Sequence, residues 1–399
     1  MRYFLLFLLC AVWYIEVSGQ RPVDGLLTED YTLNPDEEGM LSLSIDNLSF
    51  FSDSEFDGDI IDGYSLPGFR FNPRIIYRPL PIVKLEAGVS LLKFWGADKY
   101  PCYTYQDISE WMADDYRFGL HIQPFFRAQI QPVKQLNLVL GMLYGGANHR
   151  LIEPLYNRDL NFSADPETGA QILLNSRPLD LDCWINWESF TFKNDTHNEA
   201  FTVGVSSAFH ITDPDAFFTL SLPAQGVMIH RGGELDTVVG SVSSQANAAA
   251  GIRIGLNPGR LLKRVSLEVM GVGYKEFYGD ANIFSQGGAA YASLSATVWN
   301  FTCKLGWWNS RDFVNLFGNP MFGNVSLTID GRTFRKPNLL TAGLDYEQRF
   351  ASGIHLGAYA GCFYFPKLEV QNEPLTNQSF NFSCAVSVRI NPSILLKLK

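Results

Sequence analysis

The sequence predicts an all-β chain: an up-and-down antiparallel transmembrane β-barrel of about 16 strands, with short periplasmic turns and long extracellular loops. Three observations predict it. Apolar and polar residues alternate with period two from residue 40 onward. Short and long connections alternate along the chain. Aromatic residues gather at both ends of the strands.

The clearest alternation spans residues 69–79. Phe69, Phe71, Ile75 and Tyr77 share one parity, and Arg70, Asn72, Arg74 and Arg78 share the other. Successive side chains of a strand point to opposite faces, so this strand has a greasy face and a basic face. Val83, Leu85, Ala87 and Val89 against Lys84, Glu86 and Ser90 repeat the pattern. So do Leu120, Ile122, Phe126 and Ile130 against His121, Gln123 and Arg127, and then Leu136, Leu138, Leu140, Met142 and Tyr144. Leu179, Leu181, Cys183, Ile185 and Trp187 oppose Asp180, Asp182 and Glu188. Later strands continue to Phe380–Ile390 and its extension, and weaker ones are expected near 40–50 and 168–177.

Short connections fall at Pro79-Leu80-Pro81, Pro132-Val133-Lys134, Arg177-Pro178, Asp213-Pro214-Asp215 and Asn257-Pro258-Gly259. Between them lie long ones at 52–66, 95–116, 145–167, 230–246, 309–338 and 366–379. Sorting of loops by length marks a membrane barrel, and a soluble sandwich has no reason for it. Trp95, Tyr144, Trp187, Phe201, Trp307 and Phe380 are expected at one membrane interface, and Tyr77, Phe209, Phe218, Phe301 and Phe350 at the other. In lipid every backbone polar group must be paired within the protein, so the last strand should pair with the first.

Residues 1–19 read as a secretory signal: Arg2, an apolar core from Phe4 to Ile15, and Val17-Ser18-Gly19 before the cut. Residues 20–39 form an acidic segment expected in the periplasm as a simple leader, and 40–399 form the barrel. A net charge of −10 excludes a nucleic-acid binder, which needs basic patches. After the leader, Cys102, Cys183, Cys303, Cys362 and Cys384 form no CxxC pair, so neither a zinc ribbon nor a disulfide framework is expected.

Several motifs carry a family resemblance. They are Tyr64-Ser65-Leu66-Pro67-Gly68-Phe69, Ala147-Asn148-His149-Arg150 with Glu153-Pro154-Leu155-Tyr156, Asn186-Trp187-Glu188, and His230-Arg231-Gly232-Gly233-Glu234. With them, most of the chain resembles a Bacteroidota outer-membrane β-barrel family of unassigned function. The resemblance implies a Gram-negative outer-membrane location with both termini periplasmic.

Parity turns Arg70, Arg74, Arg78, Lys84, Glu86, Arg117, His121 and Arg127 into the lumen along one wall. Asp180, Asp182, Glu188, Asp345, Glu347 and Arg349 turn inward from others. As pore-lining residues they predict a transverse field and a porin-like channel for small polar or anionic solutes. The alternative is a non-conducting scaffold whose loops or acidic N-terminus bind a periplasmic or surface lipoprotein. Membrane lipid and the barrel-assembly machinery are the other expected partners. Asp53, Glu55, Asp57 and Asp59 resemble the front of a Ca²⁺ loop, but Tyr64 stands where the bidentate Glu belongs, so a solvated acidic loop is expected. No enzyme is expected, because no nucleophile, base and orienting group fall together. Only His230–Asp236 offers acid–base residues at an extracellular rim.

Overall fold

Two-period strands cannot leave their backbone unpaired in lipid, and the computed structural model shows how this chain avoids it. It describes residues 25–95, 120–189, 199–233, 242–350, 353–374 and 376–396. The described strands are β1 (Leu41–Asp57), β2 (Asp62–Leu80), β3 (Val83–Phe94), β4 (His121–Val133), β5 (Leu136–Met142) and β6 (Thr168–Asn175). Then follow β7 (Leu179–Ser189), β8 (Ala200–His210), β9 (Phe218–Arg231), β10 (Ser243–Leu256), β11 (Leu262–Tyr278) and β12 (Gln286–Val298). The last are β13 (Phe301–Arg311), β14 (Phe334–Phe350), β15 (Ile354–Val370), β16 (Thr376–Ile390) and β17 (Ser393–Leu395).

Strands β1 to β16 each pair antiparallel with their neighbours in sequence, and β1 closes the ring by pairing with β2 on one side and with β16 and β17 on the other. Asn47 lies opposite Ile390 and Ser44 opposite Ser393, so β17 continues β16 in one register across Asn391-Pro392. Pro392 has no N–H to give the ladder, and its carbonyl accepts from the Ile45 N–H at 3.1 Å. The two pieces form one stave of a 16-stave closed barrel. The last strand does pair with the first.

The outward band is apolar. Ile122, Phe126, Leu140, Val269, Leu305 and Val386 are among its exposed side chains. Trp95, Trp307 and Phe380 mark the long-loop end, and Tyr77, Phe209, Phe218, Phe301 and Phe350 the short-turn end. The inward face carries Ser, Asn, Gln and charged residues, many of them buried.

Three expectations are corrected. The connection 52–66 is a tight turn, because β1 runs to Asp57 and β2 starts at Asp62; likewise 366–379 is mostly strand. Tyr144 does not join the aromatic belt. Gly141 takes φ +92°, a conformation glycine adopts freely, and the parity flips there: Leu140 is outward, while Met142 and Tyr144 are buried inside. The acidic N-terminal segment does not stand free of the barrel. Leu26, Tyr31 and Leu33 are buried in it.

The segment 312–333 also packs on the barrel. Phe313 and Phe322 are wholly buried against Trp308, with Tyr291 and Phe363 alongside. Its backbone is held by two asparagines. Asn247 Nδ2 donates to Val314 O at 2.9 Å while its Oδ1 accepts from Leu316 N at 2.9 Å. Asn324 bridges Phe313 N and Phe334 O in the same way.

Closure can be tested by cross-linking. With the native cysteines replaced by serine, Ser52→Cys and Ala385→Cys sit opposite each other and share the inner face. Oxidation should join them and give one gel species of altered mobility. The pair Ser52→Cys and Val386→Cys, on opposite faces, should stay unlinked; the reverse result would mean a different β1–β16 register.

Candidate functional site

Four of the expected lumen residues, Arg74, Lys84, Glu86 and Arg127, meet in one buried network built around the N-terminal segment. Glu86 on β3 lies 2.8 Å from Lys84 and 2.9 Å from Arg74 on β2. Glu29 reaches in from the segment to Arg74 at 3.1 Å and to Arg127 on β4 at 3.0 Å. Burial opposes its charge, but Arg127 and Arg74 outweigh this and hold its carboxyl well below the usual range. Asn148 clamps the Glu29 backbone, donating to its carbonyl at 2.8 Å and accepting from its N–H at 2.9 Å. Arg127 also donates to the Met142 and Leu143 carbonyls, and Lys84 Nζ donates to Tyr144 Oη at 2.6 Å. Below these, Arg389 holds Asp46 with two bonds of 2.8 Å and donates to Leu26 O.

The other expected residues find separate partners. Arg78 pairs with Glu37, Arg70 donates to Ala164 O, and His121 meets Asp165 at 3.0 Å. Asp180 meets His210 at 2.9 Å, and Glu188 accepts from Thr202. Asp345 pairs with Arg158, the Glu347 carboxylate lies 3.4 Å from Leu26 N, and Arg349 Nε lies 3.3 Å from His355 Nε2. Arg117 lies outside the described residues. Asp53, Glu55 and Asp57 belong to β1 rather than to a loop, and Asp59 follows it. Asp53 accepts from Ser65, Asp57 from Ser379, and Asp59 pairs with Arg332. Among the described residues, no three His, Cys, Asp or Glu side chains gather to hold a metal.

The Ala147-Asn148-His149-Arg150 motif forms a clasp. His149 Nδ1 lies 2.8 Å from Asp182 and its Nε2 lies 2.8 Å from Glu167, and the ring stacks on Trp184 at 3.5 Å. Gly204 makes room, because a Cβ there would strike the Trp184 ring. Burial would lower the imidazole pKa, but Glu167 and Asp182 outweigh it and raise it to about 10. With both nitrogens engaged, His149 fastens the loop to the wall and has no lone pair for chemistry.

One histidine is placed differently. His230, on β9, lies opposite Ser244 on β10, and its Nδ1 is 2.8 Å from Ser244 Oγ. His230 shares the parity of the exposed Phe218, Leu222 and Met228, so the pair sits on the outer wall at the long-loop end. Phe201 packs on the His230 ring at 4.9 Å and Trp187 on Phe201 at 5.1 Å. Tyr278 on β11 lies opposite Ser244, next to a bulge that leaves Phe277 unpaired, and both are exposed. The hydroxyl–imidazole pair is thus set within the aromatic belt, where a bulge can re-aim side chains. Sequence reading reached His230 but looked for its partners at 234–236, which lie outside the described residues. Ser244 comes from the next strand, and only the β9–β10 register shows it.

These features define a transmembrane β-barrel whose N-terminal segment and loop 145–167 pack into part of the lumen, with a serine–histidine pair on its outer wall. The model of the Lipid A 3'-O-deacylase-type family matches residues 33–399, and the chain belongs to that family. The family carries an enzymatic name, which overturns the expectation that the chain is not an enzyme. No curated protein matches the chain. Among solved structures, it is similar to the anion-selective porin from Comamonas acidovorans, with 11% identity over 88% of this chain and 99% of that one and a TM-score of 0.45. It is likewise similar to OprD from Pseudomonas aeruginosa, with 12% identity, 92% and 97% coverage and a TM-score of 0.43.

The His149 clasp carries a pH signature. Its pKa is raised above the unfolded value of 6.5, so its stabilisation is complete below pH 6.5 and is lost as pH climbs through about 10. His149→Gln leaves two carboxylates without their cation and should cost about 3–5 kcal/mol at pH 6. Urea unfolding in detergent, compared with the parent protein across pH 5–11, should show this gap closing on the alkaline side. A gap that stays constant with pH would mean His149 is neutral in the clasp.

Proposed function

We propose that the chain is an outer-membrane ester hydrolase that removes an acyl chain from a glycolipid of the lipid A type, with Ser244 as nucleophile and His230 as general base. The observation that carries this reading is the 2.8 Å contact between Ser244 Oγ and His230 Nδ1 on the outer wall of a barrel in a deacylase-type family. The long-loop end faces outward in this reading, so the aromatic belt around the pair meets the headgroup level of the outer leaflet. Ester linkages between sugar and acyl chain lie at that depth.

The neutral tautomer with its proton on Nε2 leaves Nδ1 free to accept. As Ser244 Oγ attacks the ester carbonyl carbon, its proton passes to Nδ1. The tetrahedral intermediate then expels the sugar oxygen, which takes that proton and leaves as the alcohol. The acyl group remains on Ser244 Oγ. Water, deprotonated by the same nitrogen, attacks the acyl-serine and releases the free fatty acid. Ser244 is 8% exposed, so little water competes for its hydroxyl in the ground state. What favours a wall-based enzyme is that Arg74 and Arg127, expected to line a pore, are engaged by Glu29 of the N-terminal segment.

The test is release of fatty acid, read by mass spectrometry, from an acylated glycolipid in vesicles holding the refolded mature barrel. Ser244→Ala and His230→Asn should each lower the rate by about 10²-fold or more while the barrel keeps its heat-modifiable mobility. Unchanged rates in both variants would remove the pair from the mechanism.

A further inference from the structure

The outer wall below the Ser244–His230 pair is concave. The barrel's register builds the hollow step by step. Two residues along from His230, Met228 lies opposite Ala246 on one side and Val203 on the other. Two further on, Gly226 lies opposite Ala248 and Val205. β7 adds Ile185 opposite Val203 and Cys183 opposite Val205, and β6 adds Ala170 and Ile172 opposite those two. Together they line a shallow apolar groove on the lipid-facing wall.

Small side chains make the hollow. Gly226, Ala246, Ala248, Ala170 and Ala128 occupy outward positions that elsewhere on the wall hold Phe126, Leu294 or Leu305. A Cβ at Gly226 would meet only ordinary contacts at 3.6–3.8 Å, so glycine is not needed there to relieve a clash in the fold. What glycine adds at that position is space on the lipid side. Each strand residue advances ~3.3 Å, so Ala248, in the groove floor, lies ~13 Å from Ser244 measured along β10. The groove is continuous with the apolar band that faces the bilayer, and its lining ends at Ala246 and Met228, one outward position below Ser244 and His230.

We infer that this groove seats the acyl chain whose ester Ser244 attacks, and that its small residues set which chain length is cleaved. The inference rests on the hydrolase reading and adds to it the part of the substrate that the site selects. A straight acyl chain lying in the groove places its carbonyl at the belt, where the hydroxyl and imidazole wait. It also leaves the sugar headgroup in water above the belt.

Two measurements test this, both on the full mature barrel in vesicles. In the first, Gly226→Leu and Ala248→Phe fill the groove without touching Ser244 or His230. The ratio of cleavage of a long-chain ester (p-nitrophenyl myristate) to a short-chain one (p-nitrophenyl butyrate) should fall by about tenfold or more in each. A ratio unchanged in both variants overturns the groove as a chain seat. The second needs no turnover. In the Ser244→Ala barrel, a phospholipid with a diazirine near the end of its acyl chain is photolysed and its attachment sites are mapped. Adducts should concentrate on 203–205, 226–228 and 246–248 and decline when Gly226→Leu is added. Adducts spread evenly around the barrel, or cross-links joining this wall to a second copy of the chain, overturn the seat. Concentrated adducts in a barrel that cleaves no ester would sink the hydrolase reading and leave the seat standing, so the two failures are distinguishable.

Discussion

The structure depends on the closure of β1 onto β16 and β17. A sheet edge left open in hydrocarbon would carry a row of unpaired N–H and C=O groups, each costing several kcal/mol. Closing the edge fixes everything downstream. It gives every strand an outer face that meets lipid and must be apolar, and an inner face free to carry polar residues beside the apolar cluster around Trp308 and Phe363. It carries Asp46 and Arg389 together across the seam, where their two 2.8 Å bonds tie the last stave to the first. Arg389 then donates to Leu26 O, so the seam also fixes where the N-terminal segment enters the lumen.

The inner face poses the second constraint. Arg74, Lys84, Glu86 and Arg127 are each less than a tenth exposed, and charges taken from water are costly unless paired. Arg127 and Arg74 share Glu86, and Glu29 completes the set with a second carboxylate. The segment bearing Glu29 therefore supplies countercharge to a wall that has too few carboxylates of its own. The same logic holds the loop 145–167. His149, kept charged by two carboxylates, locks that loop to β7 and in turn positions Asn148 against Glu29.

The barrel was legible in the sequence because period two is a local signal: Phe69 to Tyr77 reads as a two-faced strand without knowledge of any neighbour. What escaped was non-local. The flip at Gly141 depends on a positive φ that one glycine among 34 does not announce. The run Asp53-Ser54-Glu55-Phe56-Asp57 resembled a polar loop, yet β2 pairs with it as far as Asp57. Its acidic side chains find Ser65 and Ser379 on adjoining strands. Glu29 looked like one acid among several in a soluble leader, since the arginines that claim it lie 45 and 98 residues away. Of the candidate site, His230 was legible as an acid–base residue at a rim, but Ser244 was not, because a serine gains meaning only from the residue opposite it.

The position of the pair also bears on how such an enzyme could meet a lipid at all. A lumen route would draw an acylated sugar past Glu29, Arg127 and the His149 clasp, breaking buried ion pairs on the way. A lipid already in the bilayer touches the outer wall without leaving the phase that solvates its chains. Only its ester needs to reach a protein group, and an ester sits at the belt by virtue of having a polar and an apolar side. In the proposed hydrolase, chemistry placed between Phe201 and Tyr278 would use the partition of the substrate itself to bring carbonyl and hydroxyl to one depth. On the proposed reading, the β9–β10 ladder, paired from Ser243 opposite Arg231 down to Ala250 opposite Ala224, holds the two-residue site in register.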